Sequence, residues 1–529
     1  LNTAADLVLS RAGEDRPGLW FEDRSWTWRE VVEEAGARAA WTGQRHIGVL
    51  LDNVPEYVFL LAGAAISGAV VIGLNPTRRG EELARDVRHT DCELVITDRP
   101  ELLVGLDLGG ASVVEPSWAD RGRPGRRPTP DDLFTLIFTS GSTGHPKAVK
   151  VSHGRAARSA AGIPFRPDDV LYCAMPLFHG NALFSNLFPA FASGARVVLR
   201  RRFSASAFLD DVRSHHCTFF NTVGRAIAHI NATTPTPADR DHGLKWVLGP
   251  ETSEADKEAF TQRFGVPVFD GYGSSENAVI LLPAGRSSQP GPLGVAPPGT
   301  DIAVVDPDRG EECPRARFDA AGTLLNPGEA IGEIVGRDAA GRFEGYYNDP
   351  EAEAHRLRNG WYWSGDLAYR DEDGVFYFAG RSGDWLRVDS ENFTAAPIER
   401  ILARAPGVSG VAVYPVPDTR SGDQVMAAIE LAPGRTFDPA GFSRFLAAQP
   451  DLGPKWIPTY VRVTPRLPVT ATDKLDKKPL RAAAWRTDDP LWWRPARSTV
   501  FEPMAEGDGA GLEAQLAANG RAYLLGVTA

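Results

Sequence analysis

The sequence predicts an α/β protein: a large N-terminal domain of doubly wound sheets plus a small β-barrel, followed by a small mobile α+β domain. Three observations carry that expectation. Residues 1 to about 130 alternate apolar strand-like runs with amphipathic segments, the pattern of a parallel sheet covered by helices. From Gly291 to Gly380 the texture changes to short extended runs separated by Gly, Pro and Asp, as in a small barrel. Beyond a flexible junction at Gly380 to Asp384, about a hundred residues carry strands and helices of their own, enough for a separate domain. The division that follows is 1–380, a hinge at 381–384, a mobile domain at 385–486 and a tail at 487–529.

Taken in order, Thr27 is placed to open a helix, and Ile47–Leu51 and Leu94–Thr97 read as buried strands. The most apolar stretch, Tyr57 to Leu74, contains Gly63, Gly68 and Gly73 and reads as a buried helix running into a strand rather than a membrane span, which needs roughly 20 uninterrupted apolar residues. Arg121, Arg123, Arg126 and Arg127 are interleaved with Gly and Pro and read as a solvated connector. Leu133–Phe138 is apolar except for Thr135, a buried strand. A short extended run at Ala148–Val151 follows, and Ser152 is placed to cap a helix through Ala161. Strands at Val170–Met175, Val197–Leu199 and Val266–Phe269, the run Thr218–Val223 and a helix near Phe208–Val212 continue the α/β rhythm. The C-terminal part offers strands at Val411–Val416, Met426–Leu431 and Tyr460–Val463, and helices at Pro397–Arg404 and Ala440–Ala448. The tail has few core positions apart from Leu491, Trp492 and Trp493.

At 529 residues the chain is too long for one core. With 43% hydrophobic and 24% charged residues its composition is that of a globular protein, and a net charge of −11 argues against a general nucleic-acid binder. Cys92, Cys173, Cys217 and Cys313 are scattered without metal-ligand spacing, as expected of reduced thiols in a cytoplasmic protein. No secretory signal is read at the front, and no repeat of solenoid type is visible.

The chemistry is densest where the Leu133–Phe138 strand runs into Thr139, Ser140, Gly141, Ser142, Thr143 and Gly144, followed by Pro146 and Lys147. Two glycines and four hydroxyls after a buried strand allow a tight turn that presents N–H and O–H groups to an anion. Lys147 adds a positive charge. The spacing differs from the common phosphate loop, in which Gly, four residues and Gly-Lys-Ser/Thr lead directly into a helix. Two further polar clusters, Pro176 to Asn181 and Asp270 to Glu276, follow strands, where ligands bind in open parallel sheets.

Five stretches in this order resemble the adenylate-forming superfamily of acyl-CoA synthetases, adenylation domains and luciferases. Thr139 to Lys147 resembles its T-S-G-S-T-G-x-P-K-G loop, with Ala148 in place of the last glycine; the resemblance implies contact with the β- and γ-phosphates of ATP. Pro176-Leu177-Phe178-His179-Gly180 matches the segment lining the carboxylate pocket, with His179 as its gate. Gly271 precedes Tyr272-Gly273-Ser274-Ser275-Glu276, similar to Y-G-x-T-E, which implies Tyr272 on adenine, Ser275 on the α-phosphate and Glu276 on Mg²⁺. Gly360 to Asp366 resembles G-W-x-x-T-G-D, with Asp366 on the ribose, Arg381 on the nucleotide, and Gly383 with Asp384 at the hinge. Leu467 to Leu475 resembles P-x-T-x-x-G-K and places the catalytic lysine at Lys474.

At branch level, Arg381 to Arg387, Glu391-Asn392 and Asp239 to Lys245 look most like the fatty-acid-transport-protein and very-long-chain acyl-CoA synthetase branch, with Val223 and Gly224 at a wall of the acyl pocket. The resemblance implies an ATP-dependent acyl-CoA synthetase that uses Mg²⁺, CoA and a long-chain carboxylic acid. Two departures bear on the thioester step: Ser390 and Asp473 stand where relatives have glycine. They leave open an enzyme that stops at acyl-AMP or loads a carrier protein, and a non-catalytic acyl- or nucleotide-binding relative. An apolar substrate is compatible with peripheral membrane contact.

Overall fold

The computed structural model describes all residues except 44, 117–125, 140–145, 251, 253, 285–286, 288–290, 320–323, 382–384, 389–390, 420–422, 450–451, 471–473, 496–497, 506 and 520–529. Two compact units result. The first comprises the described residues up to Pro283 together with Ala339–Arg358; the second comprises Ala284–Asp338 and the chain from Asn359 onward.

The first unit holds two sheets. One runs in the order Val268–Phe269, Trp246–Leu248, Phe219–Asn221, Val170–Cys173, Arg196–Leu199, Pro17–Phe21, Arg24–Thr27, parallel until the last hairpin. The other runs Ser112–Val114, Leu94–Thr97, His46–Leu50, Val70–Gly73, Leu133–Thr139, Lys147–Ser152, parallel until its final antiparallel pair. Parallel strands buried on both faces need continuous apolar runs. Val70–Gly73 and Leu94–Thr97 are accordingly buried at every position.

Helices form where the local chemistry directs. Thr27 accepts from the Glu30 N–H while the Glu30 carboxylate returns to the Thr27 N–H, a capping box that starts Trp28–Thr42. Pro55 occupies the first turn of Pro55–Ser67, and Gly68 ends it in the left-handed conformation. That helix is apolar almost all round, so it is interior. Leu60 and Leu61 are 0% and 1% exposed, and burial of each stabilises by roughly 1.5–3 kcal/mol. A Cβ at Gly63 would lie 2.8 Å from the Ala35 carbonyl oxygen, so only glycine permits this helix crossing. Among the described residues, no helix is long and apolar enough to cross a membrane. All four cysteines are buried and unpaired with one another.

In the second unit the strands expected as a barrel form an antiparallel sheet, ordered Pro292–Val295, Val375–Arg381, Trp361–Arg370, Gly332–Gly336, Ile302–Val305. A five-stranded sheet runs Val408–Pro417, Asp423–Leu431, Tyr460–Thr464, Leu491–Trp493, Glu502–Pro503, with helices Ala395–Leu402 and Pro439–Ala447. The tail therefore contributes more than its sequence advertised. Leu491–Trp493 extends the sheet, and Leu512 and Leu516 of helix Asp508–Ala518 join Trp485, Tyr414 and Leu480 in a buried cluster.

Candidate active site

Lys147 opens the strand Lys147–Ser152, paired antiparallel with Leu133–Thr139 so that Thr139 faces Lys147 in register. Ser140, Gly141, Ser142, Thr143 and Gly144 lie outside the described residues. Ala148 sits within the strand, fully buried, a backbone state that alanine adopts without strain. Lys147 is 4% exposed, with its ammonium over the Tyr346 ring, 5.2 Å from the centroid. Burial first, and then the nearby Arg356 charge, hold its pKa below the ordinary lysine value, opposed by Asp349 and Glu276.

Glu276 lies in the turn between Tyr272–Gly273 and Ile280–Leu281, which pair antiparallel, and Asn277 takes the left-handed conformation beside it at φ 54°. Its carboxylate is 5% exposed and accepts a 2.7 Å hydrogen bond at Oε1 from the Tyr346 hydroxyl. Arg356 Nε donates to that hydroxyl at 3.2 Å. Lys147, Glu276 and Arg356 thus meet around Tyr346. Ser275 lies next to Glu276 in the same turn, and its carbonyl accepts from Arg155 Nη2, while Arg155 Nη1 donates to the Lys150 carbonyl at 2.8 Å. Arg155 is 3% exposed on the Ser152-capped helix His153–Ala160, and it ties the Lys147 strand to the Ser275–Glu276 turn.

The second polar cluster is brought to the same place. A Cβ at Gly180 would lie 3.3 Å from Ser275 Oγ and 3.1 Å from the Phe184 ring. Phe178 and His179 have ring centroids 4.5 Å apart. Phe178 packs so closely on Gly73 that a Cβ there would lie 3.0 Å from Phe178 Cα. Asn53, at the end of the neighbouring sheet, fixes the entry to this loop: it donates to the Met175 carbonyl at 2.8 Å and accepts from the Leu177 N–H at 2.9 Å. The Phe219–Asn221 strand leads into Val223 and Gly224. Buried Asn221 donates to Oδ1 of Asn181 and, at 2.8 Å, to Oδ1 of Asn186, joining the 178–181 loop to that wall. Asn186 lies in a π-helical turn, Leu183–Leu187, a feature that recurs at functional sites. Gly271 and Tyr272 precede the Ser275–Glu276 turn, and a Cβ on Gly271 would meet nothing within 4 Å.

The remaining expected residues belong to the second unit. Asp366 and Arg381 are register partners on adjacent antiparallel strands, and Gly365 beside them donates its N–H to Glu333 Oε1 at 2.6 Å. The Lys474 carbonyl accepts from the Thr470 N–H at 2.7 Å, and Val469 and Leu475 form an antiparallel bridge. The hinge pair Gly383 and Asp384, and the departures Ser390 and Asp473, lie outside the described residues.

Tyr346, Arg356, Arg155 and Asn53 were not among the residues expected from sequence. The turn signature around Gly345-Tyr346-Tyr347-Asn348-Asp349-Pro350 marks a loop, but nothing local says that it closes on Glu276, seventy residues earlier.

The family model described as AMP-binding enzyme matches residues 8–347, and the AMP-binding enzyme C-terminal domain matches residues 397–474. The chain is 47% identical to the steroid-22-oyl-CoA synthetase of Rhodococcus jostii (strain RHA1), covering 99% of each. It is 45% identical to the medium/long-chain-fatty-acid--CoA ligase FadD17 of Mycobacterium tuberculosis (strain ATCC 25618 / H37Rv), covering 93% of this chain and 98% of that one. Its fold is similar to that of the anthranilate CoA ligase AuaEII in complex with anthranoyl-AMP, with TM-score 0.80 at 22% identity over 92% of this chain and 97% of that one. It is also similar to ATP-bound MatB from Rhodopseudomonas palustris, with TM-score 0.79 at 22% identity over 91% and 98%. The chain belongs to the AMP-binding enzyme family, within the adenylate-forming superfamily.

Proposed function

We propose that this chain activates an apolar carboxylic acid, a medium- or long-chain fatty acid or a steroid side-chain acid, and transfers it to CoA. It is an ATP-dependent, AMP-forming acyl-CoA synthetase. The observation that carries this reading is the near full-length identity to two acyl-CoA ligases, combined with a site that groups Lys147, Ser275, Glu276 and the 178–181 loop in one place.

A carboxylate oxygen attacks the α-phosphorus of ATP; the new P–O bond forms as the bond to the β-phosphate oxygen breaks, giving acyl-AMP and pyrophosphate. The thiol sulfur of CoA then attacks the acyl carbon, AMP leaves with its electron pair, and the thiol proton is released. The first step brings two anions together, so catalysis rests on placing cations and donors where charge builds. Lys147 and the Thr139–Gly144 loop hold the β- and γ-phosphates, and Ser275 Oγ donates to the α-phosphate. Asp366 accepts from the ribose hydroxyls, Arg381 meets the nucleotide, and Tyr272 stacks on adenine. Lys474 supplies the ammonium that bridges the carboxylate and the α-phosphate, and Gly383 and Asp384 form the hinge at which the 385–486 domain turns between the two steps.

Glu276 is the residue that would hold Mg²⁺. Its buried carboxylate is the hard oxygen donor such an ion takes, and among the described residues no three His, Cys, Asp or Glu side chains form a ready cage, so the phosphates would complete the shell. The ion, when bound, would neutralise phosphate charge.

Phe178, His179, Gly180, Val223 and Gly224 line the acid's pocket, and the small Gly224 leaves room for a long or bulky tail. The reading is tested by pyrophosphate release with ATP and acids from acetate to very long chains plus a steroid side-chain acid, with and without CoA, products identified by mass spectrometry. CoA thioesters of the apolar acids are expected. Acyl-AMP without thioester would place the enzyme with adenylate-forming ligases that lack the second step.

A further inference from the structure

We propose that Tyr346, held by Arg356, is the positioning residue that fixes Glu276 and Lys147 together for nucleotide and metal; this rests on the reading of Glu276 as the Mg²⁺-holding carboxylate. Tyr346 is 2% exposed and is itself tightly placed. It bridges Val149 in antiparallel fashion, with the Lys150 N–H donating to the Gly345 carbonyl at 3.1 Å and the Tyr347 N–H donating to the Ala148 carbonyl at 2.8 Å. The strand that begins with Lys147 therefore carries Tyr346 as an added neighbour. The Tyr346 N–H donates to Glu353 Oε1 at 2.7 Å, an oxygen that also pairs with the Lys150 ammonium at 3.0 Å. Gly345 takes φ 86°, the left-handed region that favours glycine. Arg356 ends the helix Pro350–Arg356, whose start is capped by Asp349 accepting from the Ala352 N–H at 2.9 Å.

A tyrosine hydroxyl has one proton to give and lone pairs to receive. Here Arg356 fills the acceptor side, so the proton is directed at Glu276 Oε1. With Oε1 accepting this bond, Oε2 is the oxygen that would remain for a metal. The face of the same ring carries the Lys147 ammonium by cation–π attraction. One side chain thus sets the separation of the carboxylate that would hold the ion and the ammonium that would meet the phosphates. Phenylalanine would keep the second function and lose the first; leucine would lose both.

The test measures Mn²⁺ binding by electron paramagnetic resonance, in the presence of α,β-methylene-ATP, on the full chain carrying Tyr346→Phe, Tyr346→Leu, Arg356→Met or Glu276→Gln. Analogue affinity is measured separately in EDTA. Tyr346→Phe should bind Mn²⁺ about tenfold more weakly, the usual consequence of removing a ligand's hydrogen-bond partner, with analogue affinity in EDTA unchanged. Tyr346→Leu should weaken both, and Arg356→Met should weaken Mn²⁺ about threefold by freeing the hydroxyl. If Tyr346→Phe and Arg356→Met bind Mn²⁺ like the wild type while Glu276→Gln loses it, the positioning role is overturned and the metal assignment stands. If Glu276→Gln also binds Mn²⁺ normally, the metal assignment fails and the proposal falls with it. Should Tyr346→Phe not fold, a folded Arg356→Met with wild-type Mn²⁺ affinity overturns the proposal by itself.

Discussion

Acid should destabilise the first unit through His153, and replacing that residue should remove the effect. His153 is the first residue of the helix that carries Arg155, and it is fully buried against Phe134, ring centroids 4.8 Å apart. Neither ring nitrogen has a hydrogen-bond partner among the described residues. Burial depresses its pKa from 6.5 to about 4, opposed only by the Asp132 charge. In the unfolded chain the ring protonates near pH 6.5, so between pH 6.5 and 4 the unfolded state binds the extra proton. The stabilisation is therefore complete above pH 6.5, is lost as pH falls, and the loss saturates near pH 4. A shift of that size corresponds to about 3 kcal/mol. For a unit of about 300 residues, with an unfolding entropy of about 2.1 cal/mol/K per residue, this is a fall of about 5 °C in midpoint. Thermal midpoints of wild type and His153→Leu, followed by circular dichroism from pH 7.5 to 4.5, isolate the effect from the other titrating groups. The wild type should lose most of those 5 °C relative to the variant as pH falls to 4.5. A difference that stays flat across the range would refute the argument that this ring is held neutral by burial.

Other consequences follow from the same geometry. Lys474→Ala should lower acyl-AMP formation by at least about 10²-fold while ATP affinity, read by calorimetry, stays near wild type; equal activity in that variant would remove Lys474 from the chemistry. Gly180→Ala places a methyl 3.1 Å from Phe184 and 3.3 Å from Ser275 Oγ, so KM for the acid should rise roughly 5- to 10-fold, and KM for ATP by less, in a coupled AMP-release assay. Thr27→Ala breaks the capping box of Trp28–Thr42 and should cost about 1 kcal/mol in denaturant unfolding without altering the kinetics.

Local rules made much of the first unit legible. Thr27 and Ser152 cap the helices their side chains announced, and Leu94–Thr97 is a strand over those residues because an unbroken apolar run in a parallel sheet has no alternative face to satisfy. Residues 178–180, 223–224, 272 and 275–276 are read from the sequence as neighbours because each lies near a strand end, and the structure brings Gly180 against Ser275. What the sequence withheld depends on contacts between distant segments. Tyr346 lies in a region whose Gly- and Asp-rich texture reads as short extended runs, yet its loop returns to the Lys147 strand. Arg155 looks like an ordinary helix-surface residue until the Ser275 carbonyl is placed beside it. The Leu183–Leu187 π-turn leaves no compositional trace, and the tail's role emerges only when Trp492 pairs with Val461.

The most direct test of the adenylate mechanism follows oxygen. A carboxylic acid labelled with ¹⁸O at both carboxylate oxygens, incubated with ATP, Mg²⁺ and CoA, should deliver one ¹⁸O to AMP and none to pyrophosphate, because the attacking oxygen stays on the α-phosphorus when the thiol displaces AMP. Label in pyrophosphate, or thioester formed with unlabelled AMP, would contradict attack of the carboxylate at the α-phosphorus.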